Sequence, residues 1–224
     1  MRSFADIHAM AVGHHGEDGV AARMPEATPT AALKARPDDR WLAEMTKAVF
    51  QSGFSWKVIE AKWPGFETAF EGFNPHRVAM FSDDDVARLL RDKGIVRNGA
   101  KIMATIANAQ FVLEIADEYG SFGVFLAGWP PSDQAGLLDV LGKRGSRLSG
   151  STAQFFLRFT GWDAWITSGD VVTALIREGV IDKPPTSKTA LKKVQNAFNA
   201  WTTESGKTQA EVSRTLALSV GPKA

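Results

Sequence analysis

The 224-residue chain contains no cysteine, and this absence excludes several kinds of site. Disulfide bonds, thiolate nucleophiles and cysteine-ligated zinc or iron–sulfur centres all need that side chain. The histidines are His8, His14, His15 and His76, and their spacing is not that of a metal motif. We therefore predict no metal site and no cofactor. The glycine-flanked pair His14 and His15 is interpreted as a mobile surface feature, with metal binding as the minor alternative.

Long apolar runs and a strong net charge are also missing. No uninterrupted apolar stretch approaches the roughly 20 residues of a membrane helix, and the N-terminus lacks the basic, apolar and small-residue order of a secretory signal. We therefore expect a cytoplasmic protein without a membrane segment. The formal net charge is +1, far below that of a protein held on nucleic acid by overall charge. Any nucleic-acid site must be a local patch.

The chain does have enough apolar side chains for a substantial core. Hydrophobic residues make up 44% and charged residues 23%, which is the balance of an ordinary globular protein. Residues 1–37 are rich in Ala, Gly and Pro, which predicts an N-terminal arm that is partly irregular. From residue 38 onward apolar side chains recur at helical spacing, so residues 38–224 are predicted to form the main domain. We expect it to act as a monomer.

A turn rich in Gly, Ser and basic residues occupies residues 145–152, between two helical segments. A helix N-terminus after a glycine turn presents unpaired N–H groups and the positive end of its dipole, so this turn is a candidate phosphate site. Lys143, Arg144 and Arg147 would add positive charge. The alternative is an ordinary connection capped by Ser151 or Thr152. The candidate phosphate-binding residues are Gly145, Arg147, Leu148, Gly150, Ser151 and Thr152.

Two elements follow this turn. The apolar run from Ala153 to Phe159 predicts a helix that is buried on most sides, with Phe155 among its inward residues. After a short loop comes one acidic residue, Asp170. It is either a functional carboxylate or a helix N-cap or first-turn acid favoured by the dipole, and the sequence leaves both interpretations open.

A second cluster lies at a glycine-marked helix junction and contains Gln51, Phe54 and Trp56. Gln51 supplies both a donor and an acceptor. It therefore suits either a polar binding site or a buried polar or helix-end role.

These regions together resemble DNA-3-methyladenine glycosylase I, a branch of the helix-hairpin-helix DNA glycosylases. The similarity covers roughly residues 38–170 and rests on the motifs Q-S-G-F-S-W from Gln51, G-I-V-R-N-G-A-K-I from Gly94 and R-L-S-G-S-T-A from Arg147. It implies an all-α helix-hairpin-helix fold with two helical lobes around a cleft. It also implies that Gln51 and Trp56 contact the damaged base, that Phe54 is the wedge and that the hairpin binds phosphate.

The chain departs from this family in two respects. The first-described members carry a zinc ion on cysteine and histidine, and cysteine is absent here. Their acidic residue three positions before the glutamine is Ala48 in this sequence. The wider superfamily places a carboxylate at the position of Asp170, where it stabilises the cationic sugar. Either Asp170 takes that role here or activity is lost.

The resemblance implies a monofunctional DNA glycosylase that removes N-alkylated purines such as 3-methyladenine from double-stranded DNA in base excision repair. No lysine follows the hairpin helix at the position where bifunctional relatives keep theirs. The first alternative is a non-catalytic DNA-binding member of the fold that recognises damaged or bent duplex. A helical protein-interaction scaffold is the weaker alternative.

Overall fold

The computed structural model describes residues 1–221, and these residues form α-helices and two short 3-10 helices without a β-strand. The prediction of an all-α fold is therefore confirmed. The α-helices are α1 Phe4–His15, α2 Glu17–Ala21, α3 Thr30–Ala35, α4 Asp38–Gln51, α5 Trp56–Ala69, α6 Pro75–Val78, α7 Asp83–Arg91, α8 Gly99–Tyr119, α9 Phe122–Gly128, α10 Gln134–Arg144, α11 Gly150–Phe159, α12 Gly169–Arg177, α13 Lys188–Ser205 and α14 Gln209–Leu218.

Capping residues in the sequence set several of the helix starts. Ser82 and Asp85 form a reciprocal capping box at the start of α7, and Thr208 and Glu211 form another at the start of α14. Each box satisfies backbone N–H groups that would otherwise have no partner in the first turn. These starts are therefore specified locally, before any tertiary contact forms.

Aromatic packing joins the hairpin helix to the first part of the chain. Trp41 of α4 is fully buried, and its ring centroid lies 5.7 Å from that of Phe122 in α9 and 6.3 Å from that of Phe156 in α11. Burying side chains of this size stabilises a fold by roughly 1.5–3 kcal/mol each before entropy is counted. Helix α11 packs on α4, and the end of α4 and the start of α11 line one cavity together.

Residues 1–37 are more helical and more closely packed than their composition indicated. Helix α1 lies against α14 and α13, and α3 lies against α9. The backbone N–H of Phe4 donates to Glu204 at 2.9 Å, and Ile7 is fully buried. His14 and His15 form the last turn of α1, and His14 is exposed, as expected for a surface feature. Their mobility stays a prediction. Residues 22–29 lie outside the helices, and the division of the chain at residue 38 stays a prediction.

None of the helices within residues 1–221 combines the length and the apolar character that a membrane crossing requires.

The close contact between α9 and α3 generates a stability prediction. A Cβ atom added at Gly123 would lie 2.5 Å from the carbonyl oxygen of Leu33 and 3.1 Å from Nε1 of Trp41. We expect Gly123→Ala to lower the free energy of unfolding by about 1–3 kcal/mol, because the packed backbone must move. Urea denaturation measures this change.

Gly128, the last residue of α9, is the matched control. A Cβ atom there meets no other atom within 4 Å. Gly128→Ala should leave stability unchanged or raise it slightly, since Ala favours a helix over Gly. Equal losses for the two variants would contradict this account of the α9–α3 contact.

Candidate active site

Two adjoining cavities lie between α4, α5 and α11. The first has a volume of about 150 Å³ and the second about 340 Å³, and Ala48, Gln51 and Trp56 line both of them. The first cavity is also lined by Ser52, Gly53, Ser151, Thr152 and Phe155. The second is also lined by Glu44, Lys47, Glu60, Phe156 and Phe159. The fold thus brings the predicted base-contact residues together with the start of the hairpin helix.

Gln51 is the last residue of α4 and is 7% exposed. Its Nε2 donates to Oε1 of Glu60 at 3.3 Å, and the same oxygen lies 3.0 Å from Nζ of Lys47. The burial and this bond fit the buried-polar alternative for Gln51. Its place in the walls of both cavities fits the base-contact interpretation. The two are compatible, because an amide has four hydrogen-bonding positions.

Trp56, the first residue of α5, presents an exposed indole ring that is 42% accessible. Its ring meets Phe155 and Phe159 of α11 edge to face, with centroids 5.5 Å and 5.3 Å apart. Two perpendicular rings fix the orientation of the indole, which then offers a surface for stacking. Phe54 is 46% exposed in the turn between α4 and α5, and its role as a wedge stays a prediction.

The prediction that the aromatic residues of α11 are buried is only partly confirmed. Phe156 is 1% exposed and packs inward against Trp41, whereas Phe159 is 50% exposed. Phe155 and Phe159 are four residues apart, so they share a helix face. That face is turned toward the cleft and Trp56. Periodicity alone did not distinguish a core-facing stripe from a cleft-facing one.

The predicted phosphate-binding turn is the connection between α10 and α11. Ser149 is the N-cap of α11 and makes no side-chain cap bond within the described part of the chain. Ser151 and Thr152 lie inside the helix, so the prediction that one of them is the cap is wrong. Ser149, Gly150 and Ser151 are exposed, which leaves the N-terminal end of a ten-residue helix facing solvent. This is the geometry of an anion site.

Other residues of the turn contribute differently from expectation. Leu148 is fully buried, so it can meet a phosphate only through its main chain. Gly145 ends α10 with extended backbone. Arg147 is exposed and adopts a left-handed backbone conformation with φ 57°, which non-glycine residues rarely take. Lys143 pairs with Asp139 at 2.7 Å, so the charge it was expected to add to the turn is partly neutralised.

Arg144 is also not directed toward the candidate phosphate site. It pairs with Glu118 at 2.5 Å and with Glu114 at 3.3 Å, both on α8. These bonds turn the guanidinium toward α8, so the prediction that Arg144 adds charge to the turn is wrong. Arg147 is the basic residue of the turn that remains.

Side chains on one side of α8 form hydrogen bonds with the hairpin turn and with the turn that follows α4. Buried Asn108 exchanges two hydrogen bonds with Ser146 of the hairpin: its Nδ2 donates to Ser146 O at 3.1 Å, and Ser146 N donates to its Oδ1 at 2.7 Å. Two helical turns earlier, Nζ of Lys101 donates to Phe50 O at 3.1 Å and to Ser52 O at 2.7 Å. Burial and the neighbouring charge of Arg147 lower the pKa of Lys101.

Asp170 lies in the first turn of α12, whose N-cap is Ser168. The hydroxyl of Ser168 accepts a hydrogen bond from Val171 N at 3.4 Å, so the N-cap alternative for Asp170 is wrong. The first-turn alternative fits the position. Asp170 is not among the residues that line the two cavities. Its predicted partners Gln51 and Trp56 therefore meet in a space that Asp170 does not border.

The segment between α11 and α12, which positions Asp170, is firmly held. Gln134 of α10 exchanges two hydrogen bonds of 2.8 Å with the main chain of Trp165. Thr167 N donates to Oε1 of Gln154 in α11 at 2.7 Å. Burial lowers the pKa of Arg158, which donates to a carbonyl of the same segment, to about 10. These bonds fix the start of α12 relative to the hairpin helix.

A larger groove of about 840 Å³ lies between α10, the start of α11 and α13. Ser151 lines both this groove and the smaller cavity that contains Gln51, and Thr167 lies in the groove wall. The first turn of α11 therefore lies between the Gln51 cavity and the groove, and the groove is the space beside which α12 begins. Lys188 pairs with Asp139 in the groove wall at 2.6 Å.

The sequence pattern did not predict the charged residues of the second cavity. Glu44 precedes Ala48 by four residues and Gln51 by seven, so the three share one face of α4. This spacing was the available signal. Burial raises the pKa of Glu44, although the positive charge of Lys47 opposes the shift. Glu60 of α5 completes this charged end.

The zinc site implied by the family resemblance does not fit this chain, because its cysteine ligands are absent. Among residues 1–221, no group of three or more His, Asp and Glu side chains is arranged to hold a metal ion. His14 and His15 are neighbours in α1, with ring centroids 6.3 Å apart.

The chain matches a family model, methyladenine glycosylase, over residues 34–136. It is 38% identical over 65 residues to DNA-3-methyladenine glycosylase 1 of Escherichia coli (strain K12), and this match covers 29% of the chain and 35% of that protein. The match thus spans about a third of the length of that curated relative. The family-model match includes α4, α5 and α8 but ends before α11, which also lines both cavities.

Two solved structures extend the comparison. One describes 3-methyladenine recognition by 3-methyladenine DNA glycosylase I from Staphylococcus aureus; it has a TM-score of 0.53 and 26% identity, and covers 71% of this chain and 95% of that one. The other, Methanocaldococcus jannaschii 8-oxoguanine glycosylase/lyase with a 15mer DNA, has a TM-score of 0.52 and 12% identity, and covers 94% of this chain and 93% of that one. The second likeness shows the fold alone and extends it over nearly the whole chain.

The raised pKa of Glu44 generates a pH prediction. Because the folded state holds this proton more tightly than the unfolded chain does, the stability that it contributes is present at low pH and is lost as pH rises through the folded pKa. Glu44→Gln should therefore be more stable than the wild type at pH 7, and the difference should shrink toward pH 4. Thermal denaturation at both pH values measures it. A constant difference would contradict the assignment.

Proposed function

We propose that this chain, which belongs to the methyladenine glycosylase family, is a monofunctional DNA glycosylase that removes N-alkylated purines such as 3-methyladenine from double-stranded DNA. The observation that carries the proposal is a single cavity lined by Gln51, Trp56 and the hairpin residues Ser151 and Thr152. A base site and a phosphate site must lie this close if the enzyme is to grip the backbone beside an extruded nucleotide. Action in base excision repair, as a monomer in the cytoplasm, belongs to the same proposal.

The proposed binding mode assigns one task to each element. The extruded base enters the first cavity, where it stacks on Trp56 and is read by the amide of Gln51. Phe54, exposed in the adjoining turn, fills the gap in the base stack. The free N–H groups at the start of α11 bind a phosphate, and Arg147 adds charge beside them. Local contacts of this kind suit a chain whose net charge is only +1.

The proposed reaction is hydrolysis of one carbon–nitrogen bond. The bond between C1′ and the purine nitrogen breaks, and its electron pair goes to the base. Alkylation has already made that base cationic, so it leaves as a neutral alkylpurine. The oxygen of a water molecule bonds to C1′ and releases a proton to solvent. No lysine is needed as a nucleophile.

Positive charge develops on the sugar as the base leaves, and a nearby carboxylate would stabilise it. We assign this electrostatic role to Asp170. Support comes from the bond between Thr167 and Gln154, which fixes the start of α12 beside the hairpin helix. A sugar held at the first turn of α11 would lie between the base cavity and the α12 side, with Ser151 bordering both.

A non-catalytic DNA-binding protein is the second candidate function. Two observations favour it: an alanine, Ala48, occupies the cavity wall, and Asp170 lies outside the lining of both cavities. A pocket without a carboxylate at the sugar would bind damaged duplex and leave the glycosidic bond intact. Base release from alkylated DNA distinguishes the two candidates.

The first test is release of free 3-methyladenine from alkylated duplex by the wild type, Asp170→Asn and Gln51→Ala. We expect Asp170→Asn to lower the single-turnover rate by about 10²–10³-fold with little change in duplex affinity, because it removes charge that acts in the transition state. Gln51→Ala should weaken both binding and release. Asp182→Asn, in the exposed segment after α12, is the matched control and should behave as the wild type.

These measurements distinguish an error in the role of Asp170 from an error in the glycosylase assignment. If the wild type releases the base and Asp170→Asn releases it at the same rate, the role of Asp170 is wrong while the glycosylase assignment stands. If the wild type binds the duplex tightly and releases nothing, the protein is the non-catalytic binder.

The hairpin generates a second prediction. Each phosphate contact that neutralises a charge contributes about one unit to the slope of log affinity against log salt concentration. Arg147→Gln should therefore weaken duplex binding and reduce that slope by about one. Fluorescence anisotropy over a salt series measures both quantities. Arg23→Gln, exposed beyond α2, is the control that should leave the slope unchanged, and an unchanged slope for Arg147→Gln would remove Arg147 from the interface.

A further inference from the structure

We propose that the second cavity, which ends in Glu44, Lys47 and Glu60, is a subsite for the substituent of the damaged purine. Its ligand class is N-alkylpurines whose alkyl group is longer than methyl and ends in a hydrogen-bond donor such as a hydroxyl. The inference rests on the proposed function, because it takes the first cavity as the base site.

The two cavities are connected through shared walls. Ala48, Gln51 and Trp56 line both, and the second cavity has more than twice the volume of the first, about 340 Å³ against 150 Å³. Ala48 contributes only a methyl group at this junction. A larger side chain at position 48 would extend into the space that joins the cavities. The alanine therefore leaves open a passage from the base toward the second cavity.

The second cavity has an apolar side and a charged end. Phe156 and Phe159 of α11 form the apolar side, which suits the carbon atoms of an alkyl chain. The charged part of the lining consists of Glu44 and Lys47 of α4 and Glu60 of α5. A methyl substituent would reach neither region, whereas a longer chain would lie along the rings with its end at the charges.

Glu44 is the group at this end that is available to a ligand. Glu60 already accepts bonds from Lys47 at 3.0 Å and from Gln51 at 3.3 Å. The carboxylate of Glu44 makes no hydrogen bond or ion pair with any residue in the described range 1–221. Burial raises its pKa, as expected for a carboxyl group that has lost water without gaining a donor. A ligand hydroxyl would supply that donor.

The charged side chains that line this cavity, two carboxylates and one ammonium, give the lining one excess negative charge, while Arg36 and Arg40 act on Glu44 from outside it. This charge favours a substituent that donates a hydrogen bond over one that only accepts, and it disfavours an anionic substituent. A polar site that is left without its donor discriminates strongly against an isosteric hydrocarbon. The hydroxyl-terminated chain is therefore favoured over a propyl chain of the same length.

The test uses duplexes that carry N3-methyladenine, N3-(2-hydroxyethyl)adenine or N3-propyladenine, with single-turnover release rates for each. We expect the wild type to release the hydroxyethyl adduct at least as fast as the methyl adduct and about tenfold faster than the propyl adduct. Ala48→Leu should lower the rate for the hydroxyethyl adduct about tenfold more than the rate for the methyl adduct. Ala61→Leu, exposed on α5, is the matched control and should change neither ratio.

Glu44→Leu tests the charged end separately. It should remove or reverse the preference for hydroxyethyl over propyl. A wild type that releases the methyl adduct but neither longer adduct overturns the subsite, and so does an Ala48→Leu variant that slows all three adducts equally. Equal rates for hydroxyethyl and propyl overturn the role of Glu44. Melting temperatures of the variants show whether a loss reflects unfolding.

Binding of the free bases keeps the subsite testable if the wild type releases no base. Calorimetric titration with free N3-(2-hydroxyethyl)adenine and N3-methyladenine measures binding without chemistry. Tighter binding of the hydroxyethyl base, lost in Ala48→Leu, supports the subsite even if the proposed enzymatic function fails. Equal affinities, or no binding of either base, overturn it.

Discussion

The exchange of two hydrogen bonds between buried Asn108 and the main chain of Ser146 is the contact on which the shape of the site depends. It fixes the hairpin turn to α8, and Lys101, on the same side of that helix, fixes the end of α4. The two turns have no direct hydrogen bond in the described chain, so their spacing is set by the length of α8 between its two anchors. A buried amide that lost its partner would cost about 1–3 kcal/mol, which explains why an asparagine here specifies one geometry.

The positive and negative charges of the site lie in different places. The exposed face near Arg147 and the start of α11 is positive, whereas the interior end near Glu44 and Glu60 is negative. A nucleotide bound across this gradient would have its phosphate at the positive rim and a cationic base in the negative interior. The overall net charge of +1 conceals this arrangement, because the 26 basic and 25 acidic side chains of the whole chain nearly cancel.

Local signals predicted much of the fold and part of the site. The all-α fold, the hairpin and the meeting of Gln51 with Trp56 follow from helix periodicity, glycine turns and the family resemblance. The burial of residues in α1 did not follow, because composition contains no information about which distant helix covers a segment. Arg144 was misassigned for a related reason: its partners on α8 are far away in the sequence.

The same limit applies within the cavities. Phe159 and Phe156 have the same residue type and nearly the same position, but only tertiary packing decides which one faces the cleft. Glu44 was detectable in principle from its spacing to Ala48 and Gln51. The spacing alone does not identify Glu44 as a site residue, because a glutamate on a helix is usually solvated. The distance from Asp170 to the base site likewise depends on long-range contacts.

The docking of α1 on α14 constrains the order in which the chain can fold during its synthesis. The hydrogen bond from Phe4 to Glu204 spans 200 residues of sequence. At roughly 5–20 residues per second, a ribosome needs roughly 10–40 s to make that length of chain. Until then α1, which carries Phe4 and Ile7, can pack against α2 but lacks its later partners α13 and α14. Helix α1 is therefore made long before α13 and α14 can cover it, and its apolar face remains accessible to chaperones in the interval.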